Sequence, residues 1–413
     1  MTQINADKKN LIPMLHYFNP GHEWAVLNGS PYYMPPANVA RMQRDLAFLP
    51  AWYANNGDFV WIEKALPNDF VDFLSENFQL NVQAVDEETL SQNPQQLIDN
   101  EVMPWGISLQ SIHFFEMLNE KYALNLHIPH RQDCYTQFCH RETAAKWLQT
   151  LCENITELST RLIPQFLTSV EAVEQLLQAE SETAFLAKAP YSSSGKGLLW
   201  LPKGKITRTE QQIIHGILKK QKSVSLEYVL DKKTDFAMEF YCDGAKKTDF
   251  IGYSHFQTNA KGAYESNIIA PQHDIEYIIT EKAGCELTEK VKSGLTDLIN
   301  RHLSPVYKGY LGVDMMLYEQ NGKTKLHPCV EINLRSNMGI VAIHLQKHLA
   351  ENARGHFYVI FSRQAGELYQ QHLEKTQHYP LSFSDGKVSA GYFPLCPVDI
   401  DSHYTAYVVV SKF

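Results

Sequence analysis

Residues 312–335 read GVDMMLYEQNGKTKLHPCVEINLR, two largely apolar stretches joined by Asn321-Gly322. Asn-Gly between such stretches is the strongest short signal for a two-residue hairpin. That turn pairs Gln320 with Lys323, so counting outward sets Asp314 opposite Cys329 and Gly312 opposite Glu331. Opposed residues share a face, as do residues two apart, so Asp314, Glu331, Asn333 and Arg335 are expected on one side of the ribbon. In this register Asp314 and Glu331 are diagonal neighbours about 7–8 Å apart at the backbone, close enough to bridge one or two cations. Two carboxylates and an amide oxygen are hard ligands that suit Mg²⁺ rather than zinc.

Upstream of the hairpin the chain is strand-rich. Val224, Leu226, Tyr228 and Leu230 alternate with polar partners, and Phe236, Met238, Phe240 and Cys242 alternate with Ala237, Glu239 and Tyr241. That period of two marks half-buried antiparallel strands. Phe185–Lys188 reads as a short strand ending in a lysine, followed by the small-residue loop Ser192-Ser193-Ser194-Gly195-Lys196-Gly197. Glycine and serine let backbone N–H groups crowd around an anion, and a lysine adds a point charge. This is not a P-loop: Pro190 stands where its first glycine would be, and Leu198–Leu201 resumes as strand. Helices are expected over Arg141–Leu151, Val170–Ala179 and residues 285–303.

Toward the N-terminus, helical and strand patterns alternate. One helix is expected over residues 36–54, strands at Phe59–Ile62 and Val82–Val85, and a helix carrying Ile112, Phe115 and Leu118. This argues for a small α/β domain with a largely parallel sheet. The aromatics of residues 1–60, Trp24, Trp52 and Tyr53 among them, read as core in preference to a substrate cleft. The tail holds one helical stretch and then apolar strands such as Tyr404–Val410. The expected domains are 1–125, 126–350 and 351–413, the last extending the second or offering a homodimer edge.

Composition narrows the function classes. Lys and Arg number 37 against 46 Asp and Glu, a net charge of −9, which argues against a nucleic-acid partner. No apolar run approaches the roughly 18 residues a spanning helix needs. Seven cysteines without a C-x-x-C pair argue for reduced thiols in a cytoplasmic protein rather than a disulfide framework or a zinc site.

Taken in order, these pieces resemble the ATP-grasp superfamily over residues 126–350. The pattern Glu331-x-Asn333-x-Arg335, following Gly312-Val313-Asp314, is similar to its metal-binding strands. The resemblance implies an α/β N-terminal companion domain, an α+β ATP-grasp fold with antiparallel sheets, and a β-rich C-terminal tail. It implies that Lys188 and the loop with Ser193, Ser194, Gly195 and Gly197 bind phosphate. Glu227, Tyr228 and Val229 would lie along adenine, Asp235 would bind ribose, and Lys146 would be an earlier nucleotide-contacting lysine. His255 or Lys261 would be a further basic residue at the phosphates. Asp314, Glu331 and Asn333 would hold Mg²⁺, or Mn²⁺ in its place.

The implied activity is an ADP-forming ligase, with ATP as cofactor and small-molecule carboxylate and amine (or thiol) substrates. Arg335 and Lys188 would be its catalytic residues. A kinase on the same fold and a non-catalytic ATP-binding protein are the alternatives. The chain departs from the family's ligases after Arg335, where Ser336-Asn337-Met338-Gly339 replaces a frequent Arg-Pro-Gly stretch. Neither Asn19-Pro20-Gly21-His22-Glu23 nor Pro104-Trp105-Gly106 has a counterpart in the resemblance.

Overall fold

The computed structural model describes residues 12–130, 132–192, 197–259 and 262–412. Its strands form three sheets. The first is parallel, in the order Gln83–Val85, Phe59–Trp61, Met14–Tyr17, Glu101–Pro104. Short apolar strands of this kind are the ones a parallel sheet buries. Leu15, Phe59, Trp61 and Val85 pack with Phe115 and Leu118 of the helix Leu109–Tyr122. Tyr17 and Pro104 are paired, so both chains leave the sheet at the same edge and their following loops lie side by side. Such an edge is where parallel sheets present ligand-binding loops.

The helix expected over 36–54 is divided. An α-helix covers Ala37–Asp45, and a 3₁₀ turn covers Leu49–Trp52. Pro50 has no N–H with which to continue the helical ladder, so the chain turns there.

The second sheet is antiparallel, in the order Gln165–Leu167, Val224–Tyr228, Phe185–Lys188, Leu198–Leu201. The helices Val170–Ala179 and Arg208–Gln221 bury Val173, Leu177 and Ile214 against Phe185, Ala187, Val224 and Leu226.

The third sheet has nine strands. Its order is Lys323–Asn333, Lys308–Gln320, Asp231–Asp243, Thr248–Thr258, Tyr264–Ile269, Ala353–Phe361, Tyr404–Lys412, Lys387–Pro394, Ser382–Ser384. The C-terminal strands thus continue the sheet that carries the hairpin. The alternation of faces is realised, with Phe236, Met238, Phe240 and Cys242 in the core on one side, but the strand is not half-buried: Ala237 and Glu239 on the other side are buried too and line a cavity. On the other side, residues of the N-terminal unit share a core with the C-terminal strands: Trp52 packs against Phe393, and its indole N–H donates to Leu395 O at 2.7 Å.

The hairpin forms, but its register differs from the count from the turn. Asn321 and Gly322 take φ of 54° and 69°, as a type I′ turn requires. Gln320 pairs with Lys323 and Met316 with His327, as expected. Beyond them the register shifts, and Asp314 pairs with Glu331 and Gly312 with Asn333. Only Met315 separates the two pairs on one strand, while Pro328, Cys329 and Val330 separate them on the other. The strand is an edge strand, and Pro328, which has no N–H, lies in the bulge, both settings where a sheet tolerates proline. Because the slip is two residues, the faces are kept. Cys329 is correspondingly not opposite Asp314 but buried in the core.

Trp52 is fully buried where the first unit meets the third sheet. Trp52→Ala is expected to cost about 3–5 kcal/mol, read as a lowered urea midpoint. A loss below about 1 kcal/mol would show that this junction does not hold the units together.

Candidate active site

Two cavities, of about 410 and 370 Å³, meet at Asp314 and Glu331. The first opens between the second sheet and the hairpin. Lys188, at the end of its strand, is 4% exposed and ion-paired with Glu227 on the neighbouring strand. His327 lies beside this pair, and burial pushes its imidazole down to about 4, so it is neutral near pH 7. Tyr228 and Val229 line the same cavity. The N–H of Val229 is donated to Ala184 O at 3.0 Å, so the segment faces the cavity with side chains and its remaining backbone groups. Asp235 sits at the mouth, bonded to Lys232 and to Thr258 Oγ1.

The helix Arg141–Asn154 contributes a residue that the sequence reading passed over. The Arg141 guanidinium donates to Ala189 O at 3.2 Å, to Ser192 Oγ at 3.3 Å and to Glu331 Oε2 at 2.8 Å. It ties the segment after the strand Phe185–Lys188 to the hairpin carboxylate. Lys146 is not brought to the cavity: it is more than half exposed and pairs with Glu142. The helical period carried the distinction, since Arg141 shares a face with the buried Ala144, Ala145 and Leu148, and Lys146 does not.

Gly197 has φ of +81°, and a Cβ there would come within 2.9 Å of Ala189 Cβ, so glycine is required at the loop's exit. Ser193, Ser194, Gly195 and Lys261 lie outside the described residues. His255 looks away from both cavities, while its neighbours Ser254 and Phe256 look in.

At the shared wall, direct opposition sets Asp314 and Glu331 closer than the diagonal expected from sequence. Burial first, and Glu331 second, push the Asp314 carboxyl up to about 7, with Asn333 hydrogen-bonding to it. Among the described residues no three His, Cys, Asp or Glu side chains form a cluster, so the third hard donor here is the Asn333 amide oxygen. That oxygen accepts from Arg335 at 3.1 Å and keeps a second lone pair. Two facing carboxylates, one of them driven toward protonation by burial and then by the other, fit a divalent cation.

The second cavity lies on the far side of this wall, against the N-terminal unit. Arg335 pairs there with Glu23. Burial opposes ionisation of Glu23, yet Arg335 and His22 hold it below the usual carboxylate range. Two unassigned motifs interlock at this point. Asn19 Nδ2 donates to Gly106 O at 2.8 Å, and Gly106 N returns a bond to Asn19 Oδ1 at 3.1 Å. His22 Nε2 is 3.1 Å from Ile107 O. A Cβ on Gly106 would sit 2.3 Å from the His22 ring. Trp105 O accepts from Ser336 N at 2.8 Å, so this clamp holds the turn after Arg335.

Glu239, which the sequence reading placed only as an alternating strand residue, is 1% exposed on the wall of the second cavity. It accepts from Asn337 Nδ2 at 2.7 Å, and burial pushes its carboxyl up to about 8.

The raised Asp314 value has a sign that can be tested. Its folded-state pKa of about 7 exceeds 3.8, so its contribution is full below pH 3.8 and lost as pH rises through 7. In metal-free buffer, Asp314→Asn is therefore expected to melt above the parent protein at about pH 8, with the gap closing toward about pH 5. Added Mg²⁺ is expected to raise the melting temperature of the parent and not of the variant. A gap independent of pH would remove the burial argument.

No protein-family model and no curated protein matches the chain. Among solved structures, the biotin carboxylase of Campylobacter jejuni in its β,γ-ATP complex is similar. It is 11% identical at a TM-score of 0.52, over 97% of this chain and 88% of that one. An N5-carboxyaminoimidazole ribonucleotide synthetase in its ADP complex is also 11% identical at a TM-score of 0.52, over 98% of this chain and 93% of that one. At these identities the likeness is one of fold. No helix of the described residues is long and apolar enough to cross a membrane.

Proposed function

From the ATP-grasp fold that the chain shares with these proteins, we propose an ATP- and Mg²⁺-dependent ligase that joins a carboxylate to an amine, releasing ADP and phosphate. One observation carries the reading: the carboxylates Asp314 and Glu331 form the wall between two separate cavities, so a nucleotide and an acceptor can meet across them. ATP is assigned to the first cavity and the acceptor to the second.

The residues divide the work accordingly. Glu227, Tyr228 and Val229 flank the base, and Asp235 meets the ribose hydroxyls. Lys188 and Arg141 face the phosphates from the strand end and the helix start. Lys146 has no part, since it points to solvent. Asp314, Glu331 and Asn333 would hold Mg²⁺, or Mn²⁺, which supplies charge neutralisation to the transferring phosphoryl group.

In the first step an oxygen of the substrate carboxylate attacks the γ-phosphorus, the bond to the β–γ bridging oxygen breaks, and ADP leaves; the amine is the acceptor of the second step. In the second the amine nitrogen attacks the acyl carbon, the C–O bond to phosphate breaks, and the amine gives up a proton. Arg335, held by Glu23 and Asn333 at the second cavity, is assigned to the oxyanion of that second step.

A kinase is the second reading, and Glu239 is the observation that favours it. A buried carboxyl with its pKa near 8, facing the acceptor cavity, is poised to take a hydroxyl proton.

Incubation with ATP, Mg²⁺ and a fractionated metabolite extract, read by mass spectrometry, separates the two. The ligase yields ADP and a product equal to two substrates less water. A product heavier by one phosphoryl group would establish the kinase instead. Glu331→Gln is expected to lower turnover by at least about 10²-fold. Unchanged turnover in that variant would remove the assignment of the shared wall.

A further inference from the structure

The second cavity has two chemically distinct walls. One is apolar, with Trp24, Val39, Met42, Met338 and Phe361. Phe361 keeps 43% of its surface exposed although it ends a strand of the central sheet. The other wall is a compact polar floor whose hydrogen bonds can be followed. Asn267 Nδ2 donates to Ser254 Oγ at 2.8 Å, and Asn267 Oδ1 accepts from Tyr264 Oη at 2.7 Å. Asn337 donates to Glu239 Oε2 and accepts from Ile340 N at 3.1 Å. Both ends of each amide are therefore in use, and Glu239 Oε1 is left over.

Glycine keeps that oxygen reachable. A Cβ on Gly339 would fall 2.2 Å from Glu239 Oε1 and 2.4 Å from Ser254 Oγ. A Cβ on Gly312 would fall 2.6 Å from Glu239 Oε2. Two glycines thus close their bare backbones around one carboxyl. The nearby cation, Arg335, is engaged by Glu23, and among the described residues Glu239 has a neutral partner and no ion pair. A buried carboxylate in this position lacks a counter-charge.

We propose that this cavity selects an acceptor in which a primary ammonium group is joined to a bulky apolar group. Glu239 Oε1 and Ser254 Oγ take the ammonium, and Trp24, Met42 and Phe361 take the apolar part. The inference deepens the ligase reading and rests on it for the identity of the amine as acceptor. A cavity of about 370 Å³ stands at the small end of ligand sites, which sets the acceptor as a small molecule. Glu239 is then a specificity residue for the acceptor, recognising charge before any chemistry takes place.

Calorimetry on the full chain with MgADP present tests this with three probes. Phenethylamine carries both groups, 2-phenylethanol lacks the charge, and ethylamine lacks the ring. Phenethylamine is expected to bind at least about 10-fold more tightly than either of the others. Glu239→Gln is expected to erase the preference for the amine over the alcohol. Phe361→Ala, at a half-exposed position, is expected to weaken phenethylamine while keeping that preference.

Equal affinity for phenethylamine and 2-phenylethanol in the parent protein would overturn the proposal without any variant having to fold. Full phenethylamine affinity in a folded Glu239→Gln would overturn it too. Binding is read without turnover, so amine binding with this preference, while ATP, Mg²⁺ and the carboxylate-containing extract give no joined product with the amine, would sink the ligase reading and leave the amine site standing. ATP-dependent phosphorylation of 2-phenylethanol would overturn both.

Discussion

Among the described residues, the shared wall and the second cavity beside it are short of positive charge, and much of the surrounding structure follows from that shortage. Asp314, Glu331, Glu239 and Glu23 supply four carboxyls, and Arg141 and Arg335 supply two guanidiniums. Each guanidinium is committed to one carboxylate, Arg141 to Glu331 and Arg335 to Glu23. The two carboxyls left over are the two that burial pushes up, Asp314 to about 7 and Glu239 to about 8. A folded chain without ligands meets the deficit by holding protons. On the proposed function, Mg²⁺ beside Asp314 and the substrate ammonium beside Glu239 would each supply one of the missing positive charges.

The same accounting explains why the N-terminal unit is part of the site. Arg335 follows directly on the hairpin and must be held in a nearly closed space, where an unpaired guanidinium is costly. Its carboxylate comes from Glu23, 312 residues away in sequence, on the short helix His22–Asn28. That helix is fixed in turn by Asn19, His22 and Gly106 through bonds spanning 85 to 87 residues. The large core joining Trp52 to the C-terminal strands seats the unit on the sheet, and the Asn19–Gly106 clamp aims it.

Much of the fold was legible because its signals are local. The Asn-Gly turn, the alternation of Phe236, Met238 and Phe240, and the apolar run at Phe59–Trp61 each act within a few residues. What sequence reading missed has a local trace that was not weighed, or no local trace at all. Pro328 marks the bulge that moves Asp314 opposite Glu331, and Pro50 marks the break in the second helix. Helical phase marks Arg141 over Lys146. His327 and Glu239 gave no signal beyond residue type, because their roles come from a neighbouring sheet and from a glycine about a hundred residues away. A site assembled from three sheets is written mostly in such pairs, and only their members appear in the sequence.

The parts of the chain that match no familiar pattern turn out to be one structure. Arg335 is followed by Ser336-Asn337-Met338-Gly339, a departure from the resemblance, and three of these residues line the second cavity while Ser336 ties the segment to the N-terminal loops. Ser336 receives the clamp through Trp105 O. Asn337 caps the helix Met338–Leu345 with one end of its amide and holds Glu239 with the other. Met338 lines the cavity, and Gly339 leaves room for the Glu239 carboxyl. Asn19-Pro20-Gly21-His22-Glu23 and Pro104-Trp105-Gly106 meet this segment from the other side. Three motifs outside the resemblance thus converge on one cavity. On the proposed function, the substrate side of the site is where the chain departs furthest from the resemblance, and its specificity is written in residues that meet only in the folded structure.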